Sequence, residues 1–206
     1  MKKRVILIGG NGFLASHLAK YFVKKKYEII IFDKKFNKQK LKFVQYIRGD
    51  ILRKSNLIKL LKKNDIVYHF AAVSDLDEAQ KNHLKAIEVN IMGTVNILEA
   101  CIKKKVSKLI FSSSIYARSE QGGFYSTTKL SSEMLIERYS KKFNLKYSIL
   151  RFGSIYGTNS NNFNTIKKLI TQGIREKKIT RYTKGNEIRN YINVEDASKI
   201  CAEISK

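Results

Sequence analysis

A chain of 206 residues that is 43% hydrophobic and 11% aromatic can bury one sizeable core and is too apolar to remain disordered. Its formal net charge of +24 raises a polyanion as a partner, yet the lysines are scattered over helix-period stretches without forming one arm, which reads as a solvated surface. The 2 cysteines and 3 histidines lack metal-ligand spacing, and no apolar run is long enough for a secretion signal or a membrane span, so a soluble cytoplasmic protein with buried free thiols and no metal is expected.

Over the first 150 residues, short β-branched apolar runs alternate with longer stretches of helical period. A strand over 5–8 leads into a helix over 13–25, a second strand over 28–33 and a third over 42–47. A short helix over 57–62 precedes a fourth strand over 66–72, and a long helix over 83–104 precedes a fifth over 108–113. A helix over 125–143 and a sixth strand over 146–152 close the pattern, which loosens beyond Gly157 into an Asn-rich turn, a helix, and a last helix starting near Val194. Such alternation predicts an α/β protein with a doubly wound parallel sheet, helices on both faces, and ligands at the carboxyl ends of the strands. With no proline, the turns are expected to rest on Gly, Asn, Asp and Ser.

The run Gly9-Gly10-Asn11-Gly12-Phe13-Leu14-Ala15 follows the first strand and opens the first helix. Gly9 would permit the tight turn and Gly12 the approach of a pyrophosphate to unpaired helix N–H groups, as in a Rossmann-type dinucleotide site. A plain strand-to-helix turn is the alternative. Asp33, ending the second strand, could accept hydrogen bonds from ribose hydroxyls and repel a 2′-phosphate, favouring NAD over NADP, although Lys34 and Lys35 could pair with that phosphate. Asp50 could meet adenine or cap the next turn. Tyr125 and Lys129 share one helix face, where an ammonium could lower the pKa of a phenol that serves as general base. The strand end Phe111-Ser112-Ser113-Ser114 would offer hydroxyls nearby.

Together with His69-Phe70-Ala71-Ala72, Val89-Asn90, Arg151-Phe152-Gly153-Ser154 and Arg189-Asn190-Tyr191, these motifs resemble the extended short-chain dehydrogenase/reductase family, in its NAD-dependent sugar-nucleotide epimerase/dehydratase branch. The resemblance implies an NAD-binding Rossmann domain over 1–157 and a partial substrate-binding lobe over 158–206. It puts the backbone of Phe13 and Leu14 on the pyrophosphate, Asp50 and Ile51 beside adenine, and Phe70, Ala71, Ala72, Asn90, Ser112, Tyr125 and Lys129 along the cofactor, with Lys129 holding the nicotinamide ribose. Asn90 is placed behind the site, its other reading being an exposed helix residue. Ser114 is implied as the catalytic hydroxyl, with Ser113 as fallback. Ser154 and Arg189 are implied as substrate contacts, Arg189 holding the diphosphate.

Ala15 stands where a third glycine is usual, and Ser154, Asn190 and Asn193 depart from the family pattern. The chain ends within the helix that follows Arg189, so an incomplete substrate lobe is expected. The implied activity is epimerisation or oxidoreduction of a nucleotide-linked sugar through a transient ketone, with a homodimer as a compatible assembly. Dehydratases and decarboxylases of the family carry acids just after the catalytic hydroxyl, where this sequence has Ile115 and Tyr116. The alternative is a non-catalytic Rossmann protein whose basic surface binds RNA or another polyanion.

Overall fold

The computed structural model describes residues 3–36, 40–162, 164–180 and 188–205. Strands β1 (Arg4–Ile8), β2 (Glu28–Asp33), β3 (Val44–Arg48), β4 (Ile66–His69), β5 (Lys108–Ser114) and β6 (Tyr147–Phe152) form one parallel sheet in the order β3-β2-β1-β4-β5-β6. Between them run α1 (Phe13–Lys24), α2 (Lys54–Leu60), α3 (Leu76–Lys81), α4 (His83–Ile87), α5 (Gly93–Lys104) and α6 (Gly123–Phe143). The strand order reverses between β1 and β4, and the crossovers leaving these strands in opposite directions open a crevice at their carboxyl ends.

Side chains alternate along each strand, so one strand feeds two cores. Ile6 and Ile8 pack with Leu57, Leu98 and Ile136 of the α2, α5 and α6 layer, whereas Val5 and Leu7 pack with Leu18 and Phe22 of α1. Each fully buried Ile, Leu or Phe contributes roughly 1.5–3 kcal/mol, which exceeds anything helix propensity supplies to segments this short. Beyond β6 come β7 (Ser154–Tyr156), α7 (Thr165–Glu176), β8 (Tyr191–Asn193) and α8 (Val194–Glu203), with β7 and β8 paired in a separate parallel ribbon. Helix α8 returns to the α1 layer through buried Val194, Ala197 and Cys201, and is pinned where Tyr68 Oη donates to the Cys201 carbonyl at 2.7 Å.

Local hydrogen bonding explains where the boundaries differ from the sequence expectations. Strand β3 starts at Val44 because Phe43 sits at φ +63°, outside strand geometry. Strand β4 stops at His69 because the N–H groups of Phe70 and Ala71 both donate to the Ile8 carbonyl, at 2.8 and 3.1 Å. The expected helix over 83–104 is interrupted by a π-helical turn, Glu88–Met92. Helix α3 was not anticipated, although the Asp75 carboxylate accepting from Glu78 N at 2.8 Å is an N-cap visible in the string Asp75-Leu76-Asp77-Glu78. Lys26, Lys105 and Lys177 occupy left-handed positions after helices, where Gly or Asn was expected. Both cysteines are buried and free.

Gly9 holds β1, β4 and α1 together. It adopts φ +76°, and a Cβ there would run into the backbone of Ala71 and Phe70. A Cβ on Gly12 would meet only the Gly9 carbonyl, at 3.3 Å. Urea unfolding should therefore show Gly9→Ala destabilised by more than about 1 kcal/mol and Gly12→Ala by much less; equal losses would refute this assignment.

Candidate active site

The glycine turn lines a cleft of about 340 Å³ whose wall includes Gly12, Asp33, Ile51, Phe70, Ala71 and Ala72. Gly12 is the extended residue that precedes α1, so the N–H groups of Phe13 and Leu14 are among those a helix cannot pair internally. Leu14 is otherwise buried in the core, while the Phe13 ring packs edge-on against His17 at 5.6 Å. Asp33 closes the turn: its carboxylate accepts from Asn11 N at 3.0 Å and from Lys35 N at 3.2 Å. Asp50 fulfils its turn reading, accepting from Leu52 N at 2.9 Å, and also pairs with Lys34 Nζ at 3.0 Å. That pair engages the Lys34 charge that could otherwise have met a 2′-phosphate. Ile51 is buried against Gly93, where any side chain would displace it.

The three serines ending β5 have separate tasks, set by where each meets α6. The Ser112 carbonyl accepts from Lys129 Nζ at 2.7 Å. The Ser113 side chain meets α6 further along and donates to Glu133, which also holds Arg151 through Nε at 2.9 Å. Its hydroxyl is thus committed to a buried structural cluster, and the fallback assignment to Ser113 is corrected. Burial pushes the Glu133 carboxyl up, but the hydrogen bonds from Arg151 and Ser113 outweigh it and hold the group below its usual range. Ser114, at the strand end, caps Tyr116 N at 3.2 Å, and its hydroxyl stands near enough to the Tyr125 phenol to favour its ionised form.

Lys129 is 3% exposed, with its ammonium 4.7 Å from the Phe111 ring centroid and 5.8 Å from that of Tyr125. Burial pulls its pKa down to about 8, against the favourable charge of Glu133. The expectation that Lys129 brings Tyr125 toward neutral pH is corrected for the protein alone. Burial pushes the phenol up to about 12, and only the Ser114 hydroxyl opposes it. Neutral phenol beside ammonium is therefore the resting state at pH 7.

Asn90 is buried, not exposed, because the π-helical turn carries it inward. Its amide accepts from Val73 N at 2.8 Å and donates to the Val73 carbonyl and to Thr128 Oγ1, at 3.1 and 3.0 Å. Both amide hydrogens are used, so the role expected of Asn90 at the cofactor becomes a positioning role between the cleft wall and α6. Its widened backbone carbonyl accepts from Thr94 Oγ1 and from Ser132 Oγ at 2.9 Å. Thr94 in turn accepts from His69 Nε2 at 2.9 Å, and burial holds His69 neutral by pulling its pKa down to about 3. Thr94, Thr128 and Ser132 were not anticipated; only their small polar character within apolar helix faces hinted at a buried network.

A second cleft, about 360 Å³, is lined by Ser114, Tyr125, Ser154 and Arg189 and shares Ser74 with the first. Ser154 is placed by its N–H on the Asn190 carbonyl at 2.8 Å, and the adjoining Gly153 leaves no room for a side chain against Asn190. The β7–β8 pairing thereby brings Arg189 to the cleft that Ser114 lines. Tyr116 and Tyr191, expected only as motif positions, also face this cleft, as do Asp75 and Lys168, which escaped the sequence reading. Asp75 is already committed to capping α3.

A doubly wound parallel sheet with a glycine turn at its switch point defines a dinucleotide-binding enzyme fold. The chain belongs to the NAD dependent epimerase/dehydratase family, which it matches over residues 5–205. It is 31% identical to dTDP-D-glucose 4,6-dehydratase of Dictyostelium discoideum, over 94% of this chain and 53% of that protein. It is 30% identical to UDP-N-acetyl-alpha-D-glucosaminuronate decarboxylase of Bacillus cytotoxicus, over 96% of this chain and 69% of that one. The solved UDP-glucuronic acid 4-epimerase from Bacillus cereus, in complex with UDP-glucuronic acid and NAD, superposes with a TM-score of 0.87 at 28% identity, covering 98% of this chain and 73% of that one. The chain thus spans about half the length of the first of these relatives.

Lys129 carries a pH signature. Its folded pKa of about 8 lies below the ordinary lysine value of 10.5, so between these two limits the unfolded chain binds the extra proton and stability rises with pH. The rise is on the order of 3 kcal/mol. Urea unfolding of the wild type and Lys129→Met, compared from pH 8 to pH 10.5, should show this increment in the wild type alone. Parallel pH profiles would contradict a buried, depressed lysine.

Proposed function

We propose that the chain carries the NAD site and the catalytic residues of an epimerase or oxidoreductase acting on a nucleotide-linked sugar. The observation that carries this reading is the junction of the two clefts, with Ser114 and Tyr125 in the wall of the second and Lys129 buried behind them. The glycine turn and the α1 N-terminus would hold the pyrophosphate, Asp33 the adenosine ribose, and Ile51 and Asp50 would flank adenine. The residues fit such a group because the Gly9 contact keeps the turn flat and side-chain-free beside an open cleft.

When bound, NAD would supply the acceptor for the hydride that leaves the carbon bearing the sugar hydroxyl. Ser114 would orient that hydroxyl, and Tyr125, as phenolate after losing its own proton to solvent, would take the hydroxyl proton as the ketone forms. Lys129 stabilises the phenolate and stays fixed on the Ser112 carbonyl. Arg189 would clamp the diphosphate with its planar fork, and Ser154 would meet the sugar. Acceptance of the hydride back on the other face of that ketone would make the reaction an epimerisation. Ile115 and Tyr116 supply no acid after Ser114 to protonate a departing hydroxyl, which favours epimerisation over dehydration.

Tyr125→Phe keeps the ring and its packing but removes the proton-transferring group. Turnover of UDP-sugars should fall by about a hundredfold to ten-thousandfold with the fold intact. Lys129→Met should be comparably slow, and the double mutant little worse, since both act on one proton transfer. Full activity in Tyr125→Phe would sink the mechanism. Calorimetry should also show Asp33→Ala weakening NAD binding by about tenfold or more, because a charge-assisted hydrogen bond is removed; unchanged affinity would take the ribose from Asp33.

A further inference from the structure

In a parallel sheet linked by helices, every strand begins and every crossover helix ends at the same edge. The lysine runs at 24–26, 62–63, 103–105 and 141–142, dispersed in sequence, lie at or just after the carboxyl ends of α1, α2, α5 and α6 and therefore converge at that edge, opposite the clefts. This corrects the expectation of a merely scattered basic surface. A helix dipole rationalises Lys24, Lys103, Lys104, Lys141 and Lys142, which lie in last turns, but Lys25, Lys26, Lys62, Lys63 and Lys105 lie beyond the helix ends. The acids at this edge are already engaged: Arg4 bridges Glu28 at 3.2 Å and the buried Asp65 at 2.6 Å. None of the clustered lysines takes part in a salt bridge among the described residues.

Two phenylalanines stand out at the same edge. Phe43, just before β3, is 87% exposed at φ +63°, a strained setting for a bulky residue that buries nothing in return. Phe143 ends α6 just before β6 and is 44% exposed. Since β3 and β6 are the two border strands, these rings stand roughly 24 Å apart along the sheet, with the lysine runs between them.

We propose that this edge docks on an anionic lipid bilayer, with the lysines among the headgroups and Phe43 and Phe143 in the interfacial layer. A planar partner engages two separated apolar tips and the intervening charges at once, and leaves the clefts on the opposite edge open to soluble substrate. The runs contain lysine alone, a point charge suited to headgroups, and none of the arginine forks that read nucleic-acid bases.

The test is co-sedimentation of the full chain with vesicles of phosphatidylcholine alone and of phosphatidylcholine mixed with phosphatidylglycerol, at low and high salt. Binding should require phosphatidylglycerol and weaken with salt. The combined change Lys25→Glu, Lys63→Glu, Lys103→Glu and Lys142→Glu should reduce partitioning by more than about tenfold. A control of equal charge, Lys81→Glu, Lys177→Glu, Lys178→Glu and Lys199→Glu, should retain most of it. Phe43→Ser with Phe143→Ser should weaken vesicle binding but not binding to a homopolymeric RNA. Circular dichroism and NAD affinity check that each variant is folded. Absence of binding to anionic vesicles, equal loss in the two lysine variants, or tight RNA binding that displaces the vesicles would overturn the proposal.

Discussion

The ammonium of Lys129 lies where water cannot reach it, and the catalytic edge is arranged around what that charge needs. Its direct partner is the Ser112 carbonyl, which fixes the first half of α6 against the end of β5. Fixing those elements sets Tyr125, on the preceding turn of α6, against Ser114, two residues further along the strand. One turn beyond, Glu133 offers the compensating negative charge and is itself neutralised by Arg151 and Ser113. Burying an ionised group is costly unless it is paired and hydrogen-bonded, so these partners belong to one network whose members are not independently replaceable.

Behind the pair, a layer of small polar groups holds position without touching either cleft. The π-helical turn exposes the Asn90 carbonyl to Thr94 and Ser132, while the Asn90 amide grips Val73 and Thr128. This connects the wall of the cofactor cleft to α6 through fully paired atoms, and a shift at Val73 is transmitted to Tyr125 through Thr128, which donates to the Tyr125 carbonyl at 2.9 Å. Such pre-organisation is what a proton transfer between fixed atoms requires.

The parts legible in the sequence are those dictated by local rules. Buried strands and amphipathic helices announce themselves by periodicity, and the glycine turn by its place between them. Ser114 could be preferred to Ser113 only by resemblance; the reason for the preference is that the Ser113 hydroxyl is engaged by Glu133, about two turns along α6 from Tyr125. Asn90 was placed behind the site by resemblance alone, since the π turn that rotates it inward has no local signature and a regular helix left the exposed reading open. The neutral resting state of Tyr125 depends on burial by segments distant in the chain, as does the gathering of dispersed lysines at one edge. Asp75 was legible as a cap and was passed over.

The catalytic reading turns on a hydride that leaves the sugar and returns to it within one closed site. The most direct measurement is the fate of deuterium placed on the sugar carbon that would be oxidised, followed by mass spectrometry and NMR during turnover of UDP-sugars by the NAD-loaded protein. Retention of the label on the same carbon of the epimer, with brief appearance of reduced nicotinamide, is the expected result. Loss of the label to solvent, or a labelled product formed without any reduction of bound NAD, would contradict it.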